Sequence, residues 1–245
     1  MLTLSTRGDL AGYFNTFAKR ATFAGIVALS RTGAAVKKGL REEMERVFDR
    51  PTRWTLNSLY HSRATSDRPV SIVWLKDKAY KSTDAEHYLG PQILGGARRD
   101  KRSERLLRQS GLLPAGMQMV PGVGARLDRY GNMQRGQLIA LLSYLRVFNA
   151  AGFTMNRSFD PAAKRRGKWR RHEWFAISKE GGNLPPGVYL TDARSGRAVP
   201  VVRFVTAPSY RQRFDFFGVA GRIVNETLPR ELSHALAEGY WRPRN

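Results

Sequence analysis

Apolar residues recur at spacings of three and four near the start of the chain and predict a long amphipathic helix over 22–48. The apolar stripe consists of Ile26, Leu29, Gly33, Val36, Leu40, Met44 and Val47. Oppositely charged residues four positions apart, such as Lys38 and Glu42, lie on its polar side. A shorter helix is predicted over 9–19, and Pro51 ends the long helix because proline disfavours helical backbone at the preceding residue.

The middle of the chain combines short periodic segments with glycine-rich stretches. The predicted elements are a helical or extended connector over 52–60, a strand over 69–76, a loop or short helix over 85–96, a basic helix over 98–110 and an amphipathic helix over 134–149. Residues 114–133 are rich in glycine and include two prolines, so we expect an ordered loop with little regular structure there.

The C-terminal part predicts three strands and then a helix. The strands cover 174–179, 187–192 and 198–207 and form a β-meander, and the helix lies within 208–240. Between these elements and the preceding helix, residues 155–173 form a run of basic residues that is typical of a surface arm or loop.

Helices first, then strands, then a helix is an order typical of an α+β fold rather than of alternating βαβ units. We therefore expect a single α+β domain over residues 1–245. The long N-terminal helix and the C-terminal helix are expected to pack on a mainly antiparallel sheet built from 70–76 and 174–207. Extended loops at 85–133 and the basic arm at 155–173 complete this prediction.

The net charge narrows the range of functions. The 245 residues include 42 Lys plus Arg against 20 Asp plus Glu, which gives a formal net charge of +22. Molecules this basic repel one another and are expected to lie close to a polyanion or an acidic partner. Two interpretations stay open: the charge is a solvated surface, or it contacts DNA or an acidic protein.

Composition excludes several other classes. The chain has no cysteine, which excludes disulfides and thiolate metal sites and fits a reducing compartment. A hydrophobic content of 42% supplies a core. No apolar run reaches the ~20 residues of a membrane-spanning helix, and the first residues lack the basic and apolar regions of a signal peptide. We therefore expect no membrane contact.

Candidate chemistry is sparse, so we expect no enzyme, no cofactor and no metal site. None of the histidines pairs with another at the spacing of a helical zinc motif. The segment Pro121-Gly122-Val123-Gly124 is superficially like a dinucleotide-binding loop, but it lacks the third glycine and no strand is predicted before it. Asp84, Glu86 and His87 are close in sequence and suit a metal-dependent hydrolase or nuclease, with a polar loop as the alternative.

Two clusters of basic residues are the better functional candidates. The first contains Arg98, Arg99, Lys101, Arg102, Arg105 and Arg108, and the second contains Lys164, Arg165, Arg166, Lys168, Trp169, Arg170 and Arg171. Basic side chains neutralise phosphates, and an aromatic ring among arginines can stack on bases. No helix-turn-helix, zinc-finger or RNP signature accompanies them, so DNA would be contacted at phosphates without sequence preference. An acidic protein is the alternative partner.

Several segments occur in an order typical of one family. They are the basic amphipathic helix from Val36 to Val47, the proline-led segment from Pro51 to Leu59, the strand from Val70 to Lys76 and Tyr88-Leu89-Gly90. Near the other end, Pro208-Ser209-Tyr210-Arg211 precedes the apolar stretch from Phe214 to Leu236. Over residues 20–96 the chain thus resembles the tail-completion, or minor tail protein Z, group of tailed bacteriophages, which includes short neck proteins.

Further segments are similar to virion-morphogenesis proteins of prophages. They are Ala85 to Gly96, Gly111 to Pro114 and Tyr130 to Met133. The glycine-rich loop at 114–133 and the basic arm at 155–173 look like insertions relative to shorter members of the group.

The resemblance implies a structural protein that joins or completes the tail at the head–tail interface, or neck. It would form a ring of six or twelve copies around the DNA path, assembled in the bacterial cytoplasm and located in the virion. Its expected neighbours are portal, head-completion or tail-tube proteins, and the phage genome through its phosphates. The alternative is a non-specific nucleic-acid-binding protein that packages or protects DNA.

Overall fold

The computed structural model describes residues 10–76, 84–145, 147, 174–178, 183–191 and 195–238. The helices are α1 Leu10–Val47, α2 Arg53–Leu56, α3 Ala85–Leu94, α4 Arg102–Gln109, α5 Arg135–Tyr144 and α6 Phe216–Ala237. The strands are β1 Leu59–Ser62, β2 Ile72–Leu75, β3 Gly96–Ala97, β4 Met117–Pro121, β5 Trp174–Ile177, β6 Gly187–Thr191, β7 Ala198–Thr206 and β8 Ser209–Tyr210. Long terminal helices with antiparallel strands confirm the α+β class.

The chain groups into two compact units. Unit 1 comprises Met1–Ile93 and Gln212–Asn245, and unit 2 comprises Leu94–Arg211. Each unit has its own cluster of buried apolar side chains. The expectation of one domain did not include this division into two cores.

In unit 1, α1 and α6 pack against each other and run in opposite directions. Arg31 of α1 forms an ion pair with Glu231 of α6 at 3.5 Å, whereas the C-terminal end of α1 accepts a hydrogen bond at the Val47 carbonyl from Arg213, just before α6. The core between them and the β1–β2 pair is apolar. It contains Val36, Leu40 and Met44 of α1, Leu59, Leu75, Leu89 and Ile93, and Phe214, Phe216 and Val219.

In unit 2, four antiparallel strands form a sheet in the order β4-β7-β6-β5. Helices α4 and α5 contribute to the core of this unit through Leu107, Leu141 and Leu142. These side chains belong to the same apolar cluster as Val188 of β6 and Val202 of β7. A second, short pairing joins β3 to β8.

Helix α1 is continuous, whereas the sequence predicted two helices over 9–19 and 22–48. Residues 20–22 contain neither proline nor glycine, so nothing interrupts the backbone hydrogen bonds at the predicted break. Two glycines of α1, Gly33 and Gly39, pack closely against side chains of other elements. A Cβ at Gly33 would lie 2.2 Å from the Ser71 hydroxyl, and a Cβ at Gly39 would lie 2.3 Å from Cδ1 of Ile223.

The predicted strand over 69–76 is present as β2, but it does not join the sheet formed by 174–207. It pairs antiparallel with β1, where the register places Leu59 opposite Leu75 and Tyr60 opposite Trp74. The connector predicted over 52–60 includes only the first two residues of β1, because a four-residue strand is too short for a periodic pattern. The pairing partner of β2 is therefore β1, which ends ten residues earlier in the chain.

The short helix predicted as one possibility over 85–96 and the basic helix predicted over 98–110 are present as α3 and α4, but the segment 85–133, which was otherwise expected to form extended loops, also contains β3 and β4. The largest difference is β4, which lies in a stretch predicted to have little regular structure. Its residues Met117–Pro121 pair with Val202–Thr206 of β7. Glycine and proline on both sides of β4 obscure its strand pattern in the sequence. Its pairing partner, β7, lies about 85 residues further along the chain.

Candidate basic interface

The first basic cluster lies in unit 2, at the start of α4. Arg102 and Arg105 are on the helix, and Lys101 occupies the N-cap position before it. Glu104, the third residue of the helix, accepts a hydrogen bond from the backbone N–H of Lys101 at 2.7 Å. This contact satisfies one of the backbone donors that a helix start leaves unpaired and thereby fixes where α4 begins.

Arg98 is held by a buried carboxylate. Its guanidinium donates to both oxygens of Glu104, at 2.7 Å to Oε2 and 2.5 Å to Oε1. The side chain of Glu104 is 0% exposed and that of Arg98 is 13% exposed. A bidentate pair of this kind is charge-assisted and geometrically specific. Arg98 therefore has a structural role and is the member of the cluster least available to a partner.

The same carboxylate ties the cluster to the sheet of unit 2. Glu104 Oε1 accepts a hydrogen bond from the backbone N–H of Met119 in β4 at 2.9 Å, and the Gln118 side chain donates to the Arg98 carbonyl at 3.1 Å. Each oxygen of Glu104 thus accepts two hydrogen bonds. The loop 98–101, α4 and β4 meet at this one buried group.

The pKa values of these groups follow from that environment. Burial by itself raises the pKa of Glu104, but the hydrogen bonds from Arg98 and from the Lys101 and Met119 amides outweigh it and lower the pKa below its ordinary value. The hydrogen bond to Glu104 raises the pKa of Arg98. Desolvation of the ammonium group, together with the nearby Arg98, lowers the pKa of Lys101, although the residue as a whole is exposed.

Three members of the first cluster are exposed arginines: Arg99, Arg102 and Arg105. Arg102 and Arg105 are three residues apart on α4, so their guanidinium groups lie on one face of the helix. Arg108, further along the helix, has a structural role. It pairs with Asp100 at 3.0 Å and donates to the Met117 carbonyl at 2.8 Å. The exposed part of the first cluster therefore comprises Arg99, Lys101, Arg102 and Arg105, of which Arg102 and Arg105 share one face of α4.

The second basic cluster lies outside the described residues. It comprises Lys164, Arg165, Arg166, Lys168, Trp169, Arg170 and Arg171. Its assignment to a partner interface stays a prediction.

The glycines of Pro121-Gly122-Val123-Gly124 have a structural explanation. The N–H groups of Gly122 and Gly124 donate to the carbonyls of Val201 and Pro200, each at 2.9 Å. A Cβ at Gly122 would lie 2.2 Å from the Pro200 carbonyl oxygen. Contrary to the sequence analysis, a strand, β4, does precede this segment, but its glycine amides bond to β7. Those amides are not available to cradle a phosphate in the way a dinucleotide-binding loop requires.

The residues considered for hydrolytic chemistry lie at the start of α3. Asp84 immediately precedes the helix, and Glu86 and His87 are in its first turn. Within the ranges that the structure describes, no three His, Asp or Glu side chains come close enough to hold a metal ion.

The structure brings together four basic residues that the sequence analysis did not select. Lys37, Lys38 and Arg41 of α1 and Lys76 after β2 line an open pocket of about 490 Å³ in unit 1, together with Ala34, Leu56, Asn57 and Leu59. We refer to it as the basic pocket. The adjacent pair Lys37-Lys38 was a detectable signal, but on an amphipathic helix it resembles any solvated polar face. Lys76 is 38 positions later than Lys38, and only folding places them together.

The start of α1 exposes aromatic side chains that the sequence analysis also did not select. Tyr13, Phe14 and Phe17 are 67%, 64% and 56% exposed. Phe17 lies on the same helix face as Ala24 and Ala28, seven and eleven residues later, and these two alanines are buried. We call Tyr13, Phe14 and Phe17 the aromatic stripe; it continues a face of α1 that is covered further along the helix.

In the described part of the chain, none of the helices has the length and apolar character needed to cross a membrane. Comparisons of the chain with protein-family models, with curated proteins and with solved structures give no match.

Proposed function

We propose that this protein is a structural, non-enzymatic component of a tailed-bacteriophage virion. In this proposal several copies form a ring around the DNA path where the tail is completed or joined to the head. The order of segments over residues 20–96 that resembles tail-completion proteins is the basis for placing it there. Portal, head-completion or tail-tube proteins are its proposed neighbours, and the virion is its proposed location.

The observation that carries the assembly role is the aromatic stripe. Large exposed apolar patches on a folded protein are typical of surfaces that bind another protein. Tyr13 and Phe14 lie edge to face with their ring centroids 6.0 Å apart, and Phe17 is one turn further along the helix. Ala24 and Ala28, further along α1, are already buried. A neighbouring copy that covered the stripe would bury residues 13–17 as well.

The net charge sets a condition on such a ring. Copies that each carry a net charge of +22 repel one another. At low salt, apolar contacts between copies would have to outweigh this repulsion for a ring to form. Phosphates of DNA within the ring, or an acidic neighbouring protein, would lower that cost. We therefore expect assembly to depend on DNA or on salt.

Native mass spectrometry of the purified protein over a salt series, with and without duplex DNA, tests the proposal. We expect a discrete oligomer of six or twelve copies that is promoted by DNA or by raised salt. Phe14→Ser/Phe17→Ser is expected to abolish the oligomer, because it removes two rings of the stripe. Leu94→Ser/Val123→Ser is the matched control, since both residues are exposed and lie outside the stripe.

A second candidate function is non-specific binding of nucleic acid, in packaging or protecting DNA. The exposed arginines Arg102 and Arg105 on one face of α4 favour it, because such a pair contacts phosphates irrespective of sequence. This alternative predicts a monomer that coats DNA at every salt concentration at which it binds. Its affinity would fall steeply with salt, and the stripe variant would bind DNA as well as the unmodified protein.

A further inference from the structure

The basic pocket lies in unit 1, where α1 faces the turn between α2 and β1. Lys37, Lys38 and Arg41 come from one and a half turns of α1, and Lys76 comes from the residue after β2. The pocket has a volume of about 490 Å³ and is open to solvent. Among its lining residues there is no acidic side chain.

Two of the four cations have no acidic partner among the described residues. Lys38 pairs with Glu42 at 3.8 Å and Arg41 pairs with Glu45 at 3.4 Å. Both are exposed helix pairs of a kind that contributes little to stability. Neither Lys37 nor Lys76 forms an ion pair within the described part of the chain. The pocket therefore carries positive charge that the fold itself does not neutralise.

Hydrogen bonds hold the pocket walls in place without a ligand. Arg41 donates to the Asn57 side-chain carbonyl at 2.8 Å, across the pocket from α1 to the end of α2. The backbone N–H of Lys76 donates to the Ser58 carbonyl at 2.8 Å, which fixes Lys76 beside the same turn. Leu59, which is buried, and Leu56 give the pocket an apolar part. These contacts place the four exposed cationic residues around one open surface pocket.

The positive field of this region also acts on a neighbouring group. Burial is the largest cause of the lowered pKa of His61, and the charges of Lys37 and Arg63 lower it further. His61 is held by the Ser71 hydroxyl at 3.0 Å.

We propose that the basic pocket is an anion site that binds adjacent phosphate groups. Lysines supply point charges and an arginine supplies paired donors, the combination that phosphate oxygens favour. The volume holds more than one phosphate, and the apolar part formed by Leu56 and Leu59 would contact a sugar or base attached to it. Two sources offer this chemistry: the backbone of a nucleic acid and a free polyphosphate or nucleotide. The site does not depend on the virion role proposed above.

The test compares two double variants of the full chain. Lys37→Ala/Lys76→Ala removes two cations from the pocket, and Lys19→Ala/Arg68→Ala removes two exposed cations that do not line it. Binding of inorganic tripolyphosphate and of a short single-stranded oligonucleotide is measured by calorimetry at several salt concentrations. Thermal unfolding midpoints establish that both variants fold.

We expect the pocket variant to bind at least one probe about tenfold or more weakly, and the control variant to change affinity less than about twofold. Loss with tripolyphosphate identifies a compact phosphate ligand, whereas loss with the oligonucleotide alone identifies a nucleic-acid backbone. Equal losses in the two variants would overturn the proposal, because they would report net charge only. Absence of binding by the unmodified protein would overturn it as well.

A third variant keeps the test decisive if the double variant unfolds. Asn57→Asp preserves the shape of the side chain and places a carboxylate beside Arg41 within the pocket. Repulsion of phosphate by that carboxylate predicts a loss of affinity for the same probe, again about tenfold or more. Unchanged affinity in this variant contradicts a phosphate site.

Discussion

Arg98 and Glu104 form a bidentate ion pair in the interior of unit 2, with Nη1 at 2.7 Å from Oε2 and Nη2 at 2.5 Å from Oε1. Glu104 also accepts backbone hydrogen bonds from Lys101 and Met119, so every lone-pair direction of the buried carboxylate is used. The pair converts one arginine of a basic surface cluster into a structural element. Within that cluster, Arg98 therefore holds the loop in place, whereas the exposed members face solvent.

Replacing the buried carboxylate is expected to destabilise the protein strongly. In Glu104→Gln the guanidinium of Arg98 remains buried without its counter-charge, which costs about 3–5 kcal/mol in comparable cases. Chemical denaturation measures the free energy of unfolding. Glu42→Gln is the control, because Glu42 belongs to an exposed pair with Lys38 and its loss is expected to cost less than about 1 kcal/mol. Similar losses in the two variants would contradict a structural role for the pair.

The same pair predicts a dependence of stability on pH. Because the folded-state pKa of Glu104 is lowered, its contribution is present above the ordinary glutamate pKa of about 4.3 and is lost as the pH falls through the lowered value. Unfolding free energies measured between neutral and acidic pH are expected to decrease in this window. The decrease is expected to be smaller in Glu104→Gln, which has no carboxylate to protonate, and an identical pH profile for both proteins would refute the assignment.

Two glycines of α1 are expected to respond oppositely to alanine. In Gly33→Ala the new Cβ would overlap the Ser71 hydroxyl and the His61 ring, which hydrogen-bond each other, and overpacking of this kind costs about 1–3 kcal/mol. In Gly25→Ala nothing lies within 4 Å of the new Cβ, so the better helix propensity is expected to add about 0.5–1 kcal/mol. Thermal or urea unfolding of both variants checks this, and a stabilised Gly33→Ala would show that the contact yields easily.

Charge reversal at the exposed part of the first cluster is expected to weaken binding to DNA. Arg102→Glu/Arg105→Glu removes two exposed cations and should reduce the magnitude of the slope of log affinity against log salt by about two. Arg63→Glu/Arg68→Glu makes the same change in net charge at two exposed residues of unit 1. Fluorescence anisotropy with duplex DNA measures both. Equal effects in the two variants would show that binding follows net charge rather than the α4 face.

Charge reversal of the second cluster tests its predicted role directly. Replacing Lys164, Arg165, Arg166, Lys168, Arg170 and Arg171 by Glu is expected to block particle assembly or DNA retention while leaving thermal unfolding unchanged. The readouts are particle yield, DNA content and infectivity in a complementation assay. Particles of normal yield and infectivity would contradict a role for this cluster at an interface.

The sequence predicted those elements in which a regular pattern of apolar residues continues over many consecutive positions. The stripe from Ile26 to Val47 gives most of α1, and the alternating segments near 187–192 and 198–207 give β6 and β7 nearly to the residue. It did not predict β1 or β4. Both strands are only four or five residues long, so neither has a periodic pattern of its own, and the partner of β4 lies about 85 residues further along the chain.

The sequence showed which candidate site residues are basic, but it did not show which of them have a structural role and which are exposed. Arg98 and Arg102 are equivalent in a sequence of basic residues, yet one is paired with a buried carboxylate and the other is exposed. The difference arises because Glu104 needs partners once β4 covers it, a condition that exists only in the folded chain. Lys76 likewise joins Lys37 and Arg41 only because β2 pairs with β1 against α1.

Composition and hydrophobic periodicity by themselves determined the α+β class, the two long terminal helices and the net charge of +22. These properties depend on neighbouring residues or on sums over the chain, and folding does not alter them. The tertiary structure alone decided which cations are internal, which ones converge on a pocket and which apolar face of α1 stays exposed. Those outcomes depend on burial and on distances between residues far apart in sequence, because desolvation and long-range contacts set the strength of each interaction.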